Sequence, residues 1–374
     1  MNETREILFA LLHCGLHPSQ KGAAGRFAHL FAAPRQTPDW KAVYKMSARQ
    51  GVLAIAWDGL QWLVDEGVIA PERQPDKPLM LQWLYNVQII EERCRKQSHA
   101  IASLAGFYES HGVRMMILKG YGLSLCYPTP EHRPCGDIDI WLYGEQQRGD
   151  DLLRREKGVV IDEDKHHHTV FTVEGVMVEN HYDFLNVHAH SSNRGLEERL
   201  RRLADGRSER VAVGESGIFL PPADFNALFL LRHAASHYAA ENIGLRHVAD
   251  WAMFVERCGG DVDWEGLEST AREYNMHRFL HCLNAMAMEC MGVDAGLFPQ
   301  FGRDGQLERR VLNDILEPEF AESMPKSGIL RKNWYRLRRW WANRWKHRIV
   351  YREGLLRTFI VQIYSHLLKP RSLK

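Results

Sequence analysis

The chain has 374 residues, 45% hydrophobic, 25% charged and 10% aromatic, which excludes collagen, low-complexity disorder and a charged tail protein and suits two or three packed units. The 48 Lys and Arg nearly balance 47 Asp and Glu, so overall charge gives no reason to expect nucleic acid as a partner. The balance is uneven: Arg331–Lys374 holds thirteen Lys and Arg against the single acid Glu353, a local +12, and residues 1–330 carry −11. Seven scattered cysteines never form CxxC, a pattern that fits a reducing, cytoplasmic setting better than a disulfide framework or a zinc ribbon. No run approaches the ~18 apolar residues that span a bilayer.

Residues 1–98 read as a helical region. Ile7, Leu8, Leu11 and Leu12 recur at helical spacing, Asp39 is placed to cap a helix through Val43 and Val52, and a long pattern from Leu79 stops near His111-Gly112. The texture changes over 99–222, the expected α/β core. There VRMMILKG reads as a buried strand, GYGLSLCY as a turn into a short helix, PTPEHRPCG as a loop and DIDIWLY as a strand. EQQRGDDLLRREKG reads as a polar helix, and HTVFTV and VMVENHYDF as a hairpin about Glu174-Gly175. Pro221-Pro222 opens a helical domain over 223–300, with Asp224 the expected cap, and 301–374 is a basic, Trp-rich helical tail. The expected class is α+β (mixed α/β), a small mixed sheet flanked by helical regions.

Chemistry concentrates around Asp137 and Asp139. On a strand, residues i and i+2 share a face, so these carboxylates can share divalent cations while Ile138 and Ile140 enter the core. In VMVENHYDF the same period puts Glu179, His181 and Asp183 on one face, and either Glu179 or Asp183 can complete an acidic triad or act as base. Upstream, Lys119-Gly120 follows a strand; a glycine there lets backbone N–H groups approach a phosphate, with Lys119, Ser124 and the loop residue Arg133 as candidate phosphate contacts. His233 and His237, at i and i+4 without the glutamate of HExxH, are expected to line the cleft with His247 and Asp250 rather than to bind zinc. The triplet His166-His167-His168 can trap adventitious metal, but it is expected to put at least one imidazole at a strand end near the acids and to leave the others solvated. Trp334, Trp340, Trp341 and Trp345 among arginines suit docking on the acidic remainder of the chain, with peripheral membrane contact through 331–374 as the alternative.

ILKGYGLSLCYPTPEHRPCGDIDIWL, with the later VENHYDF and LRHAASHYAAENIGLRHVADWAMF, resembles the bacterial "uncharacterised nucleotidyltransferase" family of the DNA polymerase beta-like nucleotidyltransferase superfamily over roughly residues 35–260. Gly120-Tyr121 replaces the superfamily's commoner Gly-Ser or Gly-Gly, and sixteen residues separate Gly120 from Asp137, a longer gap than usual. The resemblance implies Mg2+ (or Mn2+) on Asp137, Asp139 and Glu179. It also implies an NTP, with ATP expected, held by Lys119, Gly120 and Arg133, and transfer of a nucleoside monophosphate to an unidentified acceptor (a sugar, another small molecule or a protein) with release of pyrophosphate. A catalytically silent nucleotide-binding module and a metal-dependent phosphohydrolase are the competing expectations.

Overall fold

The computed structural model describes residues 3–18, 22–32, 37–322 and 324–354. Five helices come first: α1 (Glu3–Leu16), α2 (Ala23–Phe31), α3 (Trp40–Arg49), α4 (Leu53–Asp65) and α5 (Lys77–Ser110). Asp39 caps α3 by accepting from the Ala42 N–H, and Asp76 caps α5 by accepting from that of Leu79. The α5 helix runs unbroken through residue 98, where a boundary is expected from sequence, and ends at His111-Gly112 with Gly112 at φ 67°. Glycine sets the packing of α1 on α4: a Cβ on Gly59 would lie 1.8 Å from the Leu11 carbonyl oxygen, and one on Gly15 2.2 Å from that of Ile55. The two backbones therefore touch.

The middle of the chain is β1 (Met116–Leu118), α6 (Gly120–Ser124), β2 (Ile138–Trp141), α7 (Gln146–Lys157), β3 (His168–Val173), β4 (Val176–His181), α8 (Ser192–Ala204), β5 (Glu209–Val213) and β6 (Ser216–Leu220). The strands form one mixed sheet in the order β3-β4-β2-β1-β6-β5. The β3–β4 hairpin turns on Glu174 (φ 51°) and Gly175 (φ 75°), the left-handed pair its two-residue loop demands. The sequence pattern assigns no element to residues 186–220, which contain α8, β5 and β6. A further correction concerns Asp224: it lies within the first turn of the next helix, whose cap position is Pro222, and it accepts from the Asp263 N–H instead.

The chain continues through α9 (Ala223–Ala240), α10 (Leu245–Cys258), α11 (Trp264–Glu273), α12 (His277–Met286), α13 (Gly305–Leu316), α14 (Ile329–Ala342) and α15 (Arg344–Val350). The fold is α+β. One face of the sheet buries Ile117, Ile138, Ile140 and Val178 against α5 and α7. The other carries Leu118 and Trp141 into a core that α1, α4, α9, α10, α12, α13 and α15 share, so the helices before and after the sheet form one packed body. Part of the basic tail docks as expected. Lys346 on α15 meets Asp314 on α13 at 2.6 Å, both buried, and Arg338 on α14 pairs with Glu322. Leu330, Trp334, Leu337 and Trp341 form an exposed apolar stripe on α14. Residues 355–374 of the tail lie outside the described residues. No helix among the described residues is long and apolar enough to cross a membrane.

Candidate active site

The sheet places the acids. In the parallel β2–β4 pair, Asp139 lies directly opposite Glu179, and in the antiparallel β1–β2 pair it lies opposite Leu118, the residue before Lys119. Neighbouring strands sit about 4.8 Å apart, so Asp139 and Glu179 stand side by side on the face turned toward α9 and α10. Asp137 immediately precedes β2 and is half-buried beside them. Lys119 Nζ lies 3.0 Å from Asp139 Oδ1, and His181 Nε2 lies 3.0 Å from the same oxygen and 3.8 Å from Glu179 Oε2. Lys119 has φ 50° and ψ −138°, a conformation L side chains rarely adopt, costing roughly 1–3 kcal/mol. From this position its ammonium reaches Asp139 on the neighbouring strand.

Asp139 is 3% exposed. Burial opposes its charge, but the Lys119 ammonium and the His181 hydrogen bond hold it well below the usual carboxylate range. For Glu179 the balance reverses: burial, then the neighbouring charges of Asp139 and Asp137, push it up to about 7. Burial lowers Lys119, yet Asp139 outweighs that and leaves it raised. This crowding of carboxylates around one ammonium is the charge pattern a divalent cation relieves. One donor atom each from Asp139, Glu179 and His181 lies within 4.8 Å of the others, as does one each from His167, His168 and His181.

Asp183 goes elsewhere. β4 ends at His181, and the Tyr182 and Asp183 N–H groups both donate to the His167 carbonyl at 3.1 Å. The two-residue period lapses there, and Asp183 Oδ1 pairs with Arg201 at 2.5 Å. Arg133 lines the cavity, but its guanidinium is engaged: Nε and Nη2 donate to Asp250 at 2.7 and 2.9 Å, and the Tyr127 hydroxyl donates to the same carboxylate at 2.7 Å. Ser124 donates to the Tyr121 carbonyl and opens onto a separate surface depression beside Cys94 and Cys135. Gly120, at φ 36°, borders both spaces.

The acids form one wall of a cavity of about 750 Å³; α9 and α10 form the other. His233 and His237 meet there at a tilt, centroids 4.4 Å apart, and His247 lies 6.2 Å from His233. Burial holds His233 well below its ordinary value, and burial followed by the Arg246 charge lowers His247 to about 4. Arg246, on α10, is a cation on this wall that spacing arguments did not single out. The cavity is thus lined by the cations Lys119 and Arg246, with acidic oxygens at one end and His233, His237 and His247 along the helical wall.

The model of the family described as "Uncharacterised nucleotidyltransferase" matches residues 36–292, more than half of the chain. The protein belongs to this family. Within the uncharacterised nucleotidyltransferase family, the matched span takes in β1, the Gly120 turn, the Asp-Ile-Asp strand, β4 and the α9–α10 pair. Among solved structures, an antigenic nucleotidyltransferase-like protein from Paracoccidioides brasiliensis is similar at 13% identity and a TM-score of 0.35, over 55% of this chain and 97% of that one. No curated protein matches the sequence.

Proposed function

We propose that the protein moves a nucleoside monophosphate from an NTP to an acceptor hydroxyl or amine, releasing pyrophosphate, with Mg2+ or Mn2+ held by Asp137, Asp139 and Glu179. The observation that carries this reading is the register of Asp139 against Glu179, with Asp137 one step before the strand and Lys119 across from it. An all-oxygen donor set of this kind suits hard divalent ions. When bound, such ions offset charge on the phosphates and favour in-line displacement at the α-phosphorus.

The chain's own groups do the rest. Lys119, paired with Asp139, is placed to exchange that partner for a phosphate oxygen. Arg246 is the second cation for the polyphosphate, in the part expected of Arg133, because Arg133 is bound to Asp250. Glu179, rather than Asp183, supplies the third carboxylate, since Asp183 is held by Arg201. The α9–α10 wall is where the acceptor would lie, and the cavity size favours a small molecule or a protruding side chain. ATP is the NTP to try first.

The test is incubation with each of the four NTPs, labelled at the α-phosphate, plus magnesium and cell extract. Label transfer with pyrophosphate release is expected, falling at least ~100-fold in D137A/D139A and in E179A. Absence of transfer for all four NTPs, together with nucleotide binding indifferent to D137A/D139A, overturns the reading. Magnesium-dependent binding without pyrophosphate release would indicate a silent binding module, and turnover with water alone a phosphohydrolase.

A further inference from the structure

Beside the carboxylates the sheet-side wall carries His167 and His181, with His168 next to them. His168 opens β3 and pairs with His181 across the β3–β4 hairpin. A strand would send its neighbour to the opposite face, but His167 precedes the strand and escapes that alternation. The three rings meet, with centroids 4.3 Å apart for 167–168, 5.2 Å for 168–181 and 5.5 Å for 167–181. One ring nitrogen from each lies within 4.8 Å of the others.

Two features separate this cluster from ordinary packing. Nδ1 of His167 and Nδ1 of His168 are both buried with no hydrogen-bond partner among the described residues. An unsatisfied buried polar atom costs about 1–3 kcal/mol, and two on adjacent residues point to something that engages these rings. The second feature is position: His168 Nε2 lies 3.5 Å from Glu179 Oε1, and His181 Nε2 lies 3.0 Å from Asp139 Oδ1, so the rings stand beside the carboxylates. Magnesium does not explain them, because it takes oxygen ligands.

We infer that His167, His168 and His181 form a nitrogen-donor site for a divalent transition ion of the zinc class, with its fourth position open toward Glu179. Donors around a tetrahedral zinc ion, each at 2.0–2.1 Å, stand about 3.4 Å apart, so the three nitrogens, now within 4.8 Å of one another, draw closer, and His181 exchanges one of its ring hydrogen bonds, to Asp139 Oδ1 or to the Asp183 carbonyl, for the metal. Three imidazoles and one open position is a donor set that borderline ions favour over magnesium and calcium. The site adjoins the acidic triad but does not depend on nucleotidyl transfer.

The test reads metal binding alone, without nucleotide. The full chain, stripped with a chelator, is titrated with ZnCl2 by calorimetry, and bound metal is counted by mass spectrometry. One zinc per chain is expected, undisturbed by millimolar magnesium, with affinity at least 100-fold weaker in H167Q/H168Q and unchanged in D137A. X-ray absorption of the zinc-loaded wild-type protein should show imidazole scattering, and that reading stands even where a variant does not fold. Zinc affinity equal in wild type and H167Q/H168Q, no stoichiometric zinc, or a zinc spectrum without imidazole scattering overturns the inference. Failure of the nucleotidyl-transfer reading would leave all of these readouts untouched.

Discussion

Replacing Arg133 with methionine distinguishes a phosphate clamp from a structural strut. Arg133 and Asp250 are 6% and 8% exposed and share two hydrogen bonds, with Tyr127 donating a third to the carboxylate. Hydrogen bonds to charged groups contribute about 1.5–3 kcal/mol each, so removing the guanidinium forfeits about 3–6 kcal/mol. That agrees with the about 3–5 kcal/mol lost when one partner of a buried ion pair is deleted. Urea unfolding of R133M should therefore show about 3–5 kcal/mol of lost stability. R133M/D250L, which removes both charges, should be more stable than the two single losses summed, with a coupling of about 2 kcal/mol. Stability of R133M within about 1 kcal/mol of wild type, combined with lost nucleotide binding, would refute the strut and restore the clamp.

Glu179 gives a pH test in metal-free protein. Its folded pKa of about 7 lies above the ordinary 4.5, so between these values the folded state holds a proton that the unfolded state has released. This contribution to stability is full below about pH 4.5 and is lost as pH rises through 7. E179Q should thus stabilise the apo protein at pH 8 by up to roughly 3 kcal/mol and change little at pH 4.5, as read by urea midpoints; equal effects at both pH values would contradict the crowding described for these acids. Cysteine reactivity should divide as sharply. The Cys94 hydrogen bond at 3.1 Å lowers Cys135 to about 7, whereas burial pushes Cys14, Cys282 and Cys290 up to about 12. At pH 7.5 iodoacetamide should label Cys135 at least tenfold faster than those three, by peptide mass mapping; uniform labelling would contradict it.

What was legible in the sequence was local. The alternation in Gly-Asp-Ile-Asp-Ile placed both isoleucines in the core and both aspartates toward the cavity, and Glu174-Gly175 marked its hairpin. Glu179 fell into register with Asp139 because a two-residue period holds within a strand. The same period failed two residues later at Asp183, where the His167 carbonyl captures the Tyr182 and Asp183 amides and ends the strand. Nothing near Asp183 in sequence announces that competitor. The Arg133–Asp250 pair joins residues 117 positions apart, and β6 finds β1 through Met116 opposite Phe219. Pairings of such separation leave no periodic trace, which is why a surface arginine and a featureless stretch are what the chain shows when read linearly.

The shared helical core also bears on where the chain can be cut. Residues 36–292 carry every strand of the sheet and the acids, yet Leu8, Leu11 and Leu12 upstream, and Val311, Leu316 and Val350 downstream, are wholly enclosed. A fragment trimmed to that span would bare the surface of α4 that α1 covers, where Gly59 offers no side chain to shield the backbone, and would strip α9 and α12 of α15. Its failure to behave in solution would then report amputated packing rather than a defect of chemistry, and loss of activity in such a fragment would carry no information about the acids.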